Sequence, residues 1–400
     1  MNFPRILKKR KGYIDRIKPF MQKSVAKVLT GQRRVGKSFL LYQLIEEILA
    51  EEPDANIIYV NLEDFTFSSL QTAEDLHSYI ISHSKEKVKN YIFIDEIQDI
   101  PGFEKVIRSL LLNEDNDIYI TGSNAKMLSG ELATYLSGRY IEFKIYSLSY
   151  SEFLEFHGLT ESETSYELYS RYGGLPYLLN LPLEDETVNE YLKSVYSTIV
   201  FRDVVSRYKL RNTLFLEKLI QFLSENIGNL FSAKNISDYL KSQHTAISVN
   251  QIQSYTEYLN NAFLIHRVER YDLIGKRVFE IGEKYYFENM GIRNIVIGYR
   301  ITDKAKILEN LVYNHLLYKG YDIKVGYYGD KEIDFVGEKN GEKLYIQVAL
   351  KIDGDTAERE FGNLLKIQDN YPKIVVTEDT FSGNSYEGIR HCSIRQFLME

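Results

Sequence analysis

The stretch Gly31-Gln32-Arg33-Arg34-Val35-Gly36-Lys37-Ser38 has the spacing G-x-x-x-x-G-K-[ST], and its flanks decide what that spacing means. Ahead of it, Ser24 to Thr30 reads as a short apolar strand carrying one lysine. Behind it, Phe39, Leu40, Leu41, Leu44, Ile45 and Ile48 recur at helical spacing. In a strand, loop, helix order the two glycines let the backbone curl. Consecutive N–H groups and the positive end of the following helix then point at phosphate oxygens. Gly31 to Phe39 are accordingly the expected lining of a nucleotide's phosphates, with Lys37 reaching the β and γ groups and the Ser38 hydroxyl ligating Mg²⁺.

A second stretch agrees. Tyr91-Ile92-Phe93-Ile94-Asp95-Glu96 is apolar without alternation, as a strand buried on both faces of a parallel sheet should be, and it ends in two carboxylates. Asp95 is the expected holder of the Mg²⁺ shell and Glu96 the group that polarises an attacking water. ATP with Mg²⁺ is therefore the expected ligand pair, and ATP hydrolysis the expected reaction.

Strand and helix go on alternating. Asn56 to Leu62 reads as a strand, Thr72 to Ser84 as a helix, Phe103 to Leu112 as a helix and Asp117 to Thr121 as a strand. This order predicts a doubly wound parallel α/β domain with its ligand at the strand C-termini. Gly122-Ser123-Asn124 ends the fourth strand, where Ser123 could reach the γ-phosphate; read alone, the tripeptide is a turn. Arg139 precedes a strand from Tyr140 to Ile145. It is a candidate for stabilising charge on the transferred phosphoryl group, in its own chain or across an oligomer, or else a surface arginine.

The 400 residues have the composition of a soluble globular chain, with no apolar run of membrane-spanning length, and the lysine-rich start lacks a signal peptide's apolar core. A cytoplasmic protein is the default expectation. A lone Cys392 excludes an internal disulfide framework. The net charge of −7 is uneven: residues 1 to 40 hold twelve Lys or Arg against one acid, Asp15. That excess suits a triphosphate, nucleic acid or a solvated helix. Within it, Ile6, Tyr13, Ile14 and Ile17 suggest a helix beside the nucleotide, with Arg10 and Tyr13 as base or ribose contacts or as packing.

The second half reads as modules. Ser149-x-x-Glu152 is a capping box that opens a helical stretch to about residue 210, the expected lid, broken by Gly173-Gly174-Leu175-Pro176. Leu216 to Ile227, Ser232 to Lys241 and Ser248 to Asn261 read as three helices, followed by strands at Phe263 to Tyr271 and Arg277 to Glu280. That is a winged helix-turn-helix order. In the third helix Val249, Ile252, Tyr255 and Leu259 form the buried stripe, which leaves Asn250, Gln253 and Ser254 as candidate DNA contacts. Residues 212 to 300 carry ten cations against nine acids, a weak drive toward phosphate that also suits a protein-binding module. The last hundred residues read as a helix from Lys304 to Lys319 and strands at Tyr321 to Tyr328, Glu332 to Glu338 and Leu344 to Leu350. Glu309, Asp334 and Gln347 resemble the metal site of a PD-(D/E)xK nuclease, with Lys351 two residues beyond the expected lysine position and on the same strand face. Gln347 replaces an acid and Ala349 the lysine, so the sequence favours a noncatalytic remnant.

With these motifs in hand, the chain resembles along its whole length the prokaryotic AAA-type P-loop ATP-binding proteins with a C-terminal domain of unknown function. The likeness rests on Leu29 to Ser38, Ile94 to Gln98, Thr121 to Asn124, Ser137 to Arg139, Gly173 to Pro176, Lys284 to Phe287 and Glu332 to Val336. It implies an ATPase core at 1–148, a helical lid at 149–211, a winged helix at 212–300 and a nuclease-like α/β domain at 301–400. It assigns ATP-site roles to Lys37, Ser38, Asp95, Glu96, Ser123 and Arg139. The function expected on this basis is an ATP-driven switch acting on or with DNA; the alternatives are a nucleotide-gated DNA-binding or protein-binding regulator with negligible turnover, and an ATP-dependent nuclease.

Overall fold

The phosphate-loop strand forms at Ala26–Thr30 (β1). This is a computed structural model that describes every residue except 1–7, 126–135, 137, 231, 243–246, 276–281, 330, 353 and 379–384. The chain divides into two compact units, residues 1–146 with 261–263, and residues 147–260 with 264–400.

In the first unit β1 joins β2 (Asn56–Asn61), β3 (Asn90–Asp95), β4 (Asn116–Gly122) and β5 (Tyr140–Lys144) in one parallel sheet of order β2-β3-β4-β1-β5. Helices α1 (Lys11–Ile17), α2 (Lys37–Glu51), α3 (Ala73–His83) and α4 (Phe103–Leu110) accompany it. Thr72 caps α3 in a reciprocal box with Asp75, which fixes that helix start one residue after the threonine. β3 and β4 are buried at every position, as their unalternating apolar sequences require, and Ile92, Ile94, Ile118 and Ile120 pack with Leu76, Ile80, Val106 and Ile107 in one core. The strand order places β4 between the phosphate-loop strand and the acidic strand, so Ser123 at its end lies between those two motifs.

A charged pair is buried on the same strands, at positions alternating with that core. Lys27 and Asp117 are fully buried and ion-paired, with the Lys27 ammonium 4.5 Å from the centroid of the Tyr119 ring. Asp117 also accepts from the Gln22 backbone and the Tyr119 hydroxyl. Burial pulls the Lys27 pKa down while Asp117 pushes it up, and burial wins. Asp117→Ala strands a buried cation and should cost about 3–5 kcal/mol, whereas Lys27→Met with Asp117→Leu should come within about 1–2 kcal/mol of wild type. Urea unfolding followed by circular dichroism measures both; equal losses in the two variants would show that the ionic pairing is irrelevant there.

The second unit begins with α5 (Tyr150–His157), whose Ser149 and Glu152 form the expected capping box, followed by α6 (Glu163–Tyr172) and α7 (Asp185–Thr198). The α7 helix runs into a π-helical stretch over Ile199–Ser206. Three helices come next, α8 (Thr213–Glu225), α9 (Ala233–Ser242) and α10 (Val249–Asn261). The hairpin β6 (Ile265–Asp272) and β7 (Glu283–Phe287) and a helix α11 (Met290–Ile297) follow. The C-terminal part is α12 (Lys304–Tyr318), β8 (Asp322–Tyr328), β9 (Lys331–Lys339), β10 (Glu342–Ala349), α13 (Gly354–Leu365), β11 (Lys373–Thr377), β12 (Ser385–Tyr386), β13 (Ile389–Ser393) and α14 (Ile394–Met399). One eight-stranded sheet of order β12-β13-β11-β10-β9-β8-β6-β7 runs through this unit.

Two findings differ from the sequence expectation, and a third decides between alternatives it left open. The hairpin's second strand is Glu283–Phe287, while Arg277 to Glu280 lies outside the described residues. The hairpin is not a free wing, because β6 also pairs in parallel with β8 through Arg270, Tyr271 and Asp272. Tyr13 is buried, its hydroxyl accepting from the Tyr146 backbone and its ring 4.5 Å from the Arg10 guanidinium, so it packs rather than offering a face to a base.

Candidate functional site

The loop between β1 and α2 is shaped by its glycines. Gly31 has φ +152°, and a Cβ there would stand 2.1 Å from the carbonyl oxygen of Ile145. Gly36 has φ +96° and caps α2, while Arg34 takes φ +72° between them. The loop packs so closely on the Ile145 backbone that a side chain at Gly31 would push the cradle out of place. Gly31→Ala should therefore weaken nucleotide affinity by at least tenfold with α2 still folded, measured by titration with a fluorescent ATP analogue; unchanged affinity would show that the cradle yields at no cost.

Lys37 opens α2, yet its ammonium turns back and donates to the carbonyls of Gly31 and Gln32, each at 3.0 Å, and to the Ser123 hydroxyl at 2.9 Å. The Ser123 hydroxyl in turn donates to Glu96, whose two oxygens lie 2.8 and 3.0 Å away. Glu96 Oε1 is 3.9 Å from the Lys37 nitrogen. The side chain of Gln98 also donates to Glu96. Burial acts to raise the Glu96 pKa, but Lys37 and Arg33 outweigh it and hold the carboxylate below its ordinary range. Glu96 sits at φ +57°, a left-handed conformation that costs a non-glycine residue about 1–2 kcal/mol, and its backbone N–H is held by the Thr121 hydroxyl at 2.9 Å.

Asp95 stands on the other side of Thr121, which donates to its Oδ1, and Tyr59 lies 3.4 Å from Oδ2. Burial raises the Asp95 pKa, against hydrogen bonds from Ser38 and Thr121. Ser38, the expected hydroxyl ligand, and Asp95, the expected carboxylate, are thus already in contact. That donor set, two hard oxygen ligands beside a basic phosphate cradle, fits Mg²⁺ on a nucleotide.

The flanking loop residues are held by the protein. Arg33 pairs with Glu63 at 2.8 Å, and Gln32 donates to the Phe263 carbonyl at 2.9 Å while its own oxygen has no hydrogen-bond partner among the described residues. Arg10 braces the loop from beneath, donating to the carbonyls of Val35 at 3.2 Å and Tyr146 at 2.8 Å. Val35 is buried and Phe39 is exposed. The structure thus brings Lys37, Ser38, Asp95, Glu96 and Ser123 together. It leaves Arg139 exposed in the turn entering β5, with its carbonyl accepting from Ala26. Thr121 and Gln98 were missed as site residues. The signal was the strand adjacency, since Ile94 pairs with Ile120 and the next residue on each strand is Asp95 and Thr121.

In the second unit Asn250 and Gln253 are exposed on α10 and Ser254 is half-buried, its hydroxyl turned to the Asn250 carbonyl. Glu309 and Asp334 come together, joined by Glu332 and by Lys284, which had no predicted role. Gln347 is buried nearby on β10, and Lys351 is exposed beyond the strand end. Among the described residues no three His, Cys, Asp or Glu side chains are arranged to hold a metal ion, and no helix is long and apolar enough to cross a membrane.

A parallel five-stranded sheet with a glycine-lysine-serine loop on one strand and an Asp-Glu pair two strands away defines a P-loop ATPase domain of the AAA type. The family model of an AAA domain matches residues 23–154, and that of a domain of unknown function matches residues 163–303. An uncharacterised protein of Haemophilus influenzae is 37% identical over 98% of both chains, and one of Methanocaldococcus jannaschii is 30% identical over 84% of this chain and 76% of its own. The chain belongs to this family of AAA-domain P-loop ATPase proteins. It also shares its fold with the Walker-type ATPase PABY2304 of Pyrococcus abyssi, at TM-score 0.50 and 16% identity over 73% of this chain and 96% of that one.

Proposed function

We propose that the protein is an ATP-hydrolysing switch acting on or with DNA through its second unit. The observation that carries the hydrolytic part is the chain of contacts from Lys37 through Ser123 to Glu96, with Asp95 and Ser38 in contact beside it. Bound Mg²⁺ would mask charge between the β and γ phosphates, held by Ser38 and Asp95. The chain's own residues do the rest. Lys37 exchanges the Gly31 and Gln32 carbonyls for phosphate oxygens. Glu96, kept ionised by Lys37 and Arg33, orients a water and accepts its proton. Ser123 gives up its bond to Glu96 and becomes free to turn toward the γ-phosphate, so the hydroxyl reports whether the site is filled. Arg139 serves in this scheme only across an oligomer or after a movement of its turn.

The DNA part rests on the polar exposed face of α10, with Asn250 and Gln253 foremost, behind two other helices and before a hairpin. The test is ATP turnover at fixed salt without DNA and with duplex or single-stranded DNA, since salt alone shifts such affinities by orders of magnitude. Stimulation by either DNA supports the reading, and its loss in Asn250→Ala with Gln253→Ala would tie it to α10. A second reading, a nucleotide-gated protein-binding regulator, is favoured by the near-neutral charge of residues 212 to 300 and by the pairing of β6 with β8. Turnover indifferent to DNA, together with no DNA binding at low salt, would replace the first reading with the second.

A further inference from the structure

Beside the Glu96 carboxylate stands an amide whose oxygen accepts nothing. Beyond Glu96 the chain makes a 3₁₀ turn over Ile97–Asp99, with the Asp99 N–H donating to the Glu96 carbonyl at 3.2 Å and the Ile100 N–H to the Ile97 carbonyl at 3.0 Å. Ile97 and Ile100 are buried in the same core as Ile94 and Ile120, so the turn is anchored on both sides of Gln98. The left-handed backbone of Glu96 redirects the chain, and the Gln98 side chain comes back to the carboxylate. Its Nε2 donates to Glu96 Oε2 at 2.5 Å, while the Ser123 hydroxyl bonds the same carboxylate at 2.8 and 3.0 Å.

An ionised carboxylate can only accept, so the amide must show it the nitrogen and keep the oxygen for something else. That oxygen is shut off from bulk solvent and has no hydrogen-bond donor among the described residues. A buried acceptor without a donor calls for a reason. Its place supplies one, because the planar amide keeps the oxygen close to the carboxylate that activates water. A water held by Glu96 alone is free to turn about that one hydrogen bond. A second acceptor at a fixed place stops the rotation and leaves a lone pair for the phosphorus.

We propose that Gln98 is a further catalytic residue, whose oxygen holds the second hydrogen of the attacking water so that Glu96 and Gln98 together aim its lone pair at the γ-phosphorus. This rests on the hydrolytic reading above and deepens it. The water oxygen bonds to the γ-phosphorus, and one proton passes to Glu96. The bond from that phosphorus to the oxygen bridging to the β-phosphate breaks, and its electron pair leaves on ADP. Gln98 is neutral and takes no proton; the hydrogen that it holds stays on the phosphate released. Its whole contribution is orientation.

The test is ATP turnover by the full chain, with and without DNA, in wild type, Gln98→Ala and Gln98→Lys. It is paired with titrations of Mg²⁺ and ADP, alone and with aluminium fluoride, which mimics the phosphoryl group in transfer. Lysine can donate to Glu96 but cannot accept, so it keeps the brace and removes the acceptor. Both variants should lose kcat by about tenfold or more, the upper end for one neutral hydrogen bond, with KM for ATP and ADP affinity within about threefold. Affinity for the fluoroaluminate complex should fall as far as kcat does. Gln98 is half-buried, and both variants should keep the urea midpoint of wild type. Wild-type kcat in Gln98→Lys would reduce Gln98 to a brace for Glu96 and overturn the proposal while leaving the hydrolytic reading intact. So would equal losses of ADP and fluoroaluminate affinity, the mark of a damaged pocket, or the unfolding of both variants. A wild-type chain that hydrolyses ATP neither alone nor with DNA would overturn the hydrolytic reading, and this inference with it.

Discussion

Lys37→Ala should lose nucleotide affinity by at least about tenfold, the cost of one to two charge-assisted hydrogen bonds at about 1.5–3 kcal/mol each. Lys37 is the buried ammonium nearest the loop, already paired with two loop carbonyls and Ser123, so its chain needs little reordering to reach a phosphate. Its removal also strips Glu96 of the neighbour that chiefly opposes burial. The sign of the resulting pH effect follows. In wild type the folded pKa of Glu96 lies below its unfolded value, so its charge favours folding at neutral pH, and that contribution disappears as pH falls through the folded pKa. In Lys37→Ala that contribution shrinks from the start. The stability gap between the two proteins should thus be larger at pH 7 than at pH 4, read from urea midpoints, while nucleotide titration measures the affinity. Unaltered affinity would remove Lys37 from the phosphate site.

The first unit was legible because its signals are local. Each strand is a short apolar run, each helix has its period, and the loop glycines announce the φ values that the structure needs at Gly31 and Gly36. The place of Ser123 between two motifs was implied by the resemblance to AAA-type proteins and not by chain order, which does not by itself put β4 between β3 and β1. What escaped was lateral. Thr121 matters because β4 lies beside β3, and Arg10 matters because a residue near the chain start reaches the carbonyl of Val35. Neither bond leaves a trace in the spacing of its own segment.

The second unit was less legible for the same reason at larger scale. Its sheet is sewn together by parallel pairs of segments far apart in sequence, β6 with β8 and β10 with β11, and such pairs have no hairpin turn to mark them. Glu283 to Phe287 carries Lys284 and Glu283 among aromatics and alternates poorly, so Arg277 to Glu280 looked the better strand. The Lys284 cluster draws on β7, α12 and β9, and only the folded sheet shows that a lysine near Tyr286 meets Glu309 and Glu332. The acids were visible as a pattern; their cation was not.

Glu96→Gln should keep nucleotide binding within about threefold and lower turnover by about 10²–10⁴-fold, the usual contribution of a positioned general base. Glutamine fills the same volume at the end of β3, and the φ of +57° is held by Thr121 through the backbone, so the geometry survives. What is lost is the proton acceptor. An amide can orient water but cannot take its proton, and the Lys37 ammonium would then face a neutral group, which leaves it freer for phosphate. Binding in this variant should if anything tighten, the opposite direction to Lys37→Ala. Steady-state phosphate release and nucleotide titration on the same preparation separate the two effects. Turnover within threefold of wild type would remove Glu96 from the chemistry and leave Asp95 and Ser38 as a binding site without a base. Loss of both binding and turnover would instead show that the carboxylate is needed to hold Lys37 and Ser123 in place.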